Sequence, residues 1–80
     1  MVFGLKPSYE KVLVALRDGQ SKDHDTICLD AGLDDFECTG AISILRRNRA
    51  LEQAGGRKYK ITEKGLHLLE SAPRITVNRR

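Results

Sequence analysis

Apolar side chains recur at helical spacing along most of this chain. Tyr9, Val12, Leu13 and Leu16 form a first stripe, with Lys6-Pro7-Ser8 ahead of it and Gly19 behind it. Proline suits an early helical position, serine can cap, and glycine readily turns left-handed past a helix end. Gln20-Ser21-Lys22 reads as a connection. Asp23 then caps a short second helix running to Ala31, with Ile27, Cys28 and Ala31 inward, and Gly32 breaks it. Gly32-Leu33-Asp34 reads as a tight turn, with the Asp34 carboxylate capping a third helix. Along that helix Cys38, Ala41, Ile42 and Leu45 fall at i, i+3, i+4 and i+7 and make one apolar face. Thr39, Ser43, Arg46 and Arg47 point elsewhere. The helix closes on Arg46-Arg47-Asn48-Arg49, where cations suit the negative end of the dipole.

After Asn48 the period changes. Ala50-Leu51-Glu52-Gln53 alternates weakly, and Ala54-Gly55-Gly56-Arg57 reads as a turn whose glycines supply positive φ. Lys58-Tyr59-Lys60-Ile61 alternates basic and apolar, the mark of a half-buried strand. A hairpin results, with Arg57, Lys58 and Lys60 at or near its tip. Thr62 caps a fourth helix, from Glu63 to about Glu70, with Leu66 and Leu69 facing in and Leu68 less clearly placed. Gly65 in its first turn costs about 1 kcal/mol of helix propensity, which a close-packed neighbouring backbone would explain. Pro73 ends the body. The division expected is one domain over residues 1–72 and a basic tail over 73–80.

Eighty residues allow one domain with a small core. No apolar run approaches the length that spans a membrane, and the first residues lack the layout of a secretion signal, so a cytoplasmic protein is expected. Cys28 and Cys38 cannot make a zinc site alone, and no close Cys/His pairs bracket a finger. His24 lies near Cys28, but His67 is far along the chain, so the thiols read as small buried hydrophobes and no metal or cofactor is expected.

The net charge is +3, and its distribution matters more than its sum. Residues 18–37 carry seven carboxylates against Lys22, a local charge of −6. Residues 46–64 carry seven cations against Glu52 and Glu63, a local charge of +5. Arg74, Arg79 and Arg80 add three more in the tail. The second half of the chain attracts phosphates and the middle repels them.

The order of these pieces resembles the winged helix-turn-helix domain. Ile27-Cys28 followed by Ala31-Gly32-Leu33-Asp34 looks like its second helix and turn, and Cys38 through Leu45 like its recognition helix. Gly55-Gly56-Arg57 looks like the wing tip. Tyr59-Lys60-Ile61-Thr62-Glu63-Lys64-Gly65 is similar to the strand-and-helix run of the MarR and PadR families of bacterial regulators. The fold class implied is mainly α with a small β-hairpin: a three-helix core, a wing and a closing helix. Two departures stand out. The positions that read the major groove hold Asp35, Phe36 and Glu37, and these eighty residues are not expected to hold the long dimerisation helices of those families.

The resemblance and the +5 segment together imply a small bacterial or phage transcriptional regulator that binds double-stranded DNA. Thr39, Ser43 and Arg47 are the groove-facing candidates. Arg46, Arg49, Arg57, Lys58 and Lys60 are the phosphate-holding ones. The alternative is a winged-helix adaptor or inhibitor docking a basic protein partner through Asp30, Asp34, Asp35 and Glu37 around Phe36. Phe36 has two readings of equal weight: an exposed anchor, or a core residue tucked under the second helix. Catalysis is not expected. Asp23 and Asp25 read as a cap and a first-turn charge beside His24, no nucleophile motif surrounds Ser43, and no phosphate-binding loop follows Gly55-Gly56. A homodimer would pair through Val2, Phe3 and Leu5 or through Arg74-Ile75-Thr76-Val77.

Overall fold

The computed structural model describes residues 4–71. The chain runs α1 (Pro7–Ala15), β1 (Lys22–Asp23), α2 (His24–Ala31), α3 (Asp35–Arg47), β2 (Leu51–Gln53), β3 (Lys58–Ile61) and α4 (Glu63–Ser71). The three strands form one antiparallel sheet in the order β1-β3-β2. Four helices with this sheet make an α+β winged helix-turn-helix, the class expected from the sequence.

Pro7 takes the first helical position of α1, which moves the cap back to the extended Lys6 and leaves Ser8 inside the first turn. Ser8 therefore does not cap, contrary to the expectation. The helix is also shorter than its stripe. After Ala15 the chain continues as a tight turn, Arg17 N donating to Val14 O and Gly19 N to Leu16 O, before Gly19 turns left-handed at φ +86°. Lys22, expected in a connection, instead begins β1 and pairs with Tyr59 while Asp23 pairs with Lys58. Its ammonium reaches the Ala15 carbonyl at 2.7 Å and Asp30 Oδ2 at 2.9 Å. One side chain thus ties the end of α1 to α2, and its hydrogen bond to Asp30 raises the Lys22 pKa.

Both expected aspartate caps form. Asp23 Oδ1 accepts from Thr26 N, and Asp34 Oδ1 from Glu37 N, each at 2.8 Å. The Thr26 amide holds the Asp23 carboxyl below its usual range. The two helices they start also end alike. At the end of α2, Leu33 N donates to Cys28 O and Gly32 N to Leu29 O, with Gly32 at φ +69°. At the end of α3, Ala50 N donates to Leu45 O and Arg49 N to Arg46 O. This is the same six-to-one and five-to-two closure, with Arg49 at φ +64° where α2 uses glycine.

The core gathers Leu5, Val12, Leu13, Leu16, Ile27, Cys38, Leu45 and Ala50, each at most 1% exposed, under Ile61 and Leu68. Burial pushes the Cys38 thiol up to about 12. Leu5 belongs to this core, so it is not available as part of a dimer edge; Val2, Phe3 and the stretch Arg74-Ile75-Thr76-Val77 lie outside the described residues, as does the tail. The hairpin register pairs Leu51 with Ile61, Glu52 with Lys60 and Gln53 with Tyr59, and both tip glycines take positive φ.

The phase of α4 differs from the expectation. Leu68 is buried, Leu69 is half-buried and Leu66 is exposed. Gly65 sets that phase. A Cβ built on it would collide with the Ala50 carbonyl oxygen and lie 2.6 Å from Ile61 Cγ1. The helix can pack this closely only along the line through Gly65, Leu68 and Leu69, one helical face at i, i+3 and i+4. Thr62 anchors the contact: its hydroxyl donates to Arg49 O at 2.7 Å and accepts from Gly65 N at 3.1 Å, which is the expected cap.

Candidate nucleic-acid interface

The exposed face of α3 changes character along its length. Asp35, Phe36 and Glu37 open it, Thr39, Gly40 and Ser43 follow, and Arg46 and Arg47 close it. The acidic start is a consequence of capping, since carboxylates in a first turn are stabilised by the positive end of the dipole, as arginines are by the negative end. The same physics that builds the helix therefore polarises the face it presents.

Arg46 joins this face to the sheet. Its guanidinium lies 5.4 Å from the centre of the Tyr59 ring, a cation–π contact between α3 and the central strand. Ser43, Thr39, Arg46 and Tyr59 line one shallow concavity, and Arg57 lines the next beside Tyr59. The arginine end of α3 and the arginine of the wing tip are thus placed around a single tyrosine. Sequence reasoning used Tyr59 only as a strand residue. The alternation of Lys58-Tyr59-Lys60-Ile61 could have shown it on the opposite face from both lysines.

The two lysines are placed differently. Successive strand residues point to opposite faces, so Lys58 and Lys60 project away from the face on which Tyr59 meets Arg46. Lys60 Nζ lies 3.9 Å from Glu52 Oε2, its cross-strand partner, and Lys58 sits opposite Asp23. Arg47, Arg49 and Arg57 are exposed. Thr39 is exposed too, but its hydroxyl is 2.9 Å from His24 Nε2. Among the acidic candidates, Asp34 is committed to its cap and Asp30 to Lys22, while Asp35 lies 3.7 Å from the His24 ring. Phe36 is 87% exposed, which decides between its two readings: it is no part of the core. His67 pairs with Ser71 on its own helix.

Arg49 combines an unusual backbone with an exposed charge. A non-glycine residue in the left-handed region costs about 1 kcal/mol or more, and such strain is found where a side chain is needed. Arg49→Gly is expected to raise stability by about 1 kcal/mol in urea melts while weakening any polyanion binding. A fall in stability would show that the arginine side chain supports the fold.

No known family profile matches the sequence, and no curated protein does. The structure is similar to that of BpsR from Bordetella bronchiseptica, solved in a study of how 6-hydroxynicotinic acid regulates its DNA binding. The two share 26% identity at a TM-score of 0.70, over 79% of this chain and 48% of BpsR. This chain therefore spans about half the length of that protein.

Proposed function

We propose that this chain is a small winged-helix transcriptional regulator, of bacterial or phage type, that binds duplex DNA through the arginine end of α3 and the tip of the wing. The observation that carries the reading is the Arg46–Tyr59 contact, which sets Arg46 of α3 beside the hairpin. The similarity to a protein that binds DNA supports it. Arg46, Arg47, Arg49 and Arg57 hold phosphates in this proposal, and Ser43 and Thr39 approach the groove. Lys58 and Lys60 act at longer range, from the other face of the hairpin. The domain covers residues 1–72, works in the cytoplasm, and binds DNA as a homodimer.

The acidic start of α3 shapes the mode of binding. Recognition helices read bases mainly from their N-terminal turns, and carboxylates there favour only a cytosine amino group. Binding is therefore dominated by phosphates, with a modest preference among sequences. Fluorescence anisotropy on a labelled duplex at several salt concentrations tests this. Four phosphate contacts predict a slope of log K against log salt of roughly −3.6. Absence of binding at low salt would end the proposal.

Phe36 supports a second reading, in which the domain also recruits a protein. An aromatic 87% exposed between Asp35 and Glu37 borders a groove lined by Lys6, Tyr9, Gly40 and Ile44. A basic partner docking there would be lost from pull-downs made with a Phe36→Ala, Glu37→Lys variant. Because Phe36 is exposed, the variant's stability should stay within about 0.5 kcal/mol of the parent. Retention of every captured partner would contradict this surface.

A further inference from the structure

The junction of α2 and α3 holds a cluster that DNA contact does not use. His24 opens α2, Cys28 follows one turn later on the same face, and Cys38 comes from the buried face of α3. One ligand atom from each residue lies within 4.8 Å of the other two. Cys28 Sγ is 3.7 Å from both ring nitrogens of His24. In a tetrahedral site with Zn–S near 2.3 Å and Zn–N near 2.0–2.1 Å, a sulfur and a nitrogen stand about 3.6 Å apart and two sulfurs about 3.8 Å. The three side chains already span one triangular face of such a site to within about 1 Å.

The surroundings suit a cation. His24 Nδ1 is 3.4 Å from Asp25 Oδ1, and Nε2 is 2.9 Å from Thr39 Oγ1 and 3.7 Å from Asp35 Oδ1. Whichever nitrogen turns toward an ion, the other has an oxygen acceptor to fix its tautomer, as metal-bound histidines require. Two thiols and an imidazole select a borderline-soft ion over magnesium or calcium. The local charge of −6 over residues 18–37, unfavourable for phosphates, attracts such an ion.

We infer that His24, Cys28 and Cys38 bind a zinc-class divalent cation across the helix-turn-helix junction, with a fourth position open to water or to the Asp35 carboxylate. On binding, the two thiols pass their protons to solvent and the sulfurs and one ring nitrogen donate to the metal. The ion then links α2 to α3 across the Gly32 turn. It fixes the angle at which α3 is presented. This inference is independent of the DNA-binding proposal, and its test involves no nucleic acid.

Cobalt titration of the reduced, metal-free chain is the direct test. A thiolate-to-cobalt charge-transfer band should grow to saturation at one ion per chain and vanish when zinc is added. Zinc should raise the melting temperature, because it binds only the folded arrangement. Cys38 is fully buried, so its replacement risks the fold. Cys28→Ser and His24→Gln are the informative variants, since both positions are half-buried. Each should lower metal affinity by at least about 10-fold and shrink the zinc-dependent rise in melting temperature while retaining the helical circular dichroism of the parent. The inference is overturned by absence of the band, by saturation at one ion per two chains, or by a Cys28→Ser variant that binds cobalt with the parent's affinity and band intensity.

Discussion

Replacing Arg46, Arg47 and Arg57 together by alanine should lower the affinity for duplex DNA by about two orders of magnitude. An exposed arginine–phosphate contact contributes roughly 1 kcal/mol after solvent screening, and three such contacts sum to about 3 kcal/mol, or about 100-fold. The salt dependence is the sharper readout. Each lost phosphate contact removes about 0.9 from the slope of log K against log salt, so the variant's slope should be shallower by about 2.7. Arg46 also packs on Tyr59, so its loss risks a local change in the hairpin. An Arg46→Lys variant separates the effects, since lysine keeps the charge but forms a weaker stack on the ring. Unchanged affinity and slope in the triple variant would remove these arginines from the interface.

Gly65→Ala should destabilise the domain by about 2 kcal/mol, lowering its melting temperature by roughly 10 °C. The new methyl would meet the carbonyl of Ala50, which is itself held: it accepts from Thr62 N at 3.0 Å, and Ala50 N closes the end of α3 on Leu45 O at 2.8 Å. Moving that carbonyl disturbs the closure of α3, the entry of β2 and the start of α4 together. The helix-propensity gain of about 1 kcal/mol is too small to offset this. Gly40→Ala is the control. Gly40 is also helical, but nothing lies within 4 Å of a Cβ built there, so the same substitution should stabilise by about 1 kcal/mol. Equal effects at the two glycines would refute the close approach at Gly65.

The parts of the fold that were legible in the sequence are those decided locally. Asp23 and Asp34 cap because a short carboxylate reaches the amide three residues on, and Gly55-Gly56 turns because glycine tolerates positive φ. The stripe Cys38, Ala41, Ile42 and Leu45 is buried because one periodicity serves one helix. What was not legible depends on a partner distant in sequence. Two residues of β1 carry no period, and only β3 makes them a strand. The three leucines of α4 fit more than one helical phase until Ala50 and Ile61 crowd Gly65. Arg49 gives no sign of a left-handed backbone, since that conformation is imposed by the closure of α3.

The candidate site divides in the same way. The arginines could be named from charge alone, but the placing of Arg46 and Arg57 beside Tyr59 needed the sheet to be set against α3. Lys58 and Lys60 share the strand with Tyr59, and the alternation that makes a strand is what turns them from it. The grouping of His24, Cys28 and Cys38 was hidden because it joins a one-turn spacing on α2 to a residue on another helix.

An amide-resolved NMR titration of the chain with a short duplex locates the interface. Shift changes should concentrate at residues 43–49 and 55–59, where Arg46 and Arg57 lie beside Tyr59, while α1 and α4 stay nearly silent. Changes confined to the outer faces of α1 and α4, or centred on the acidic start of α3, would place DNA elsewhere and refute the proposed interface.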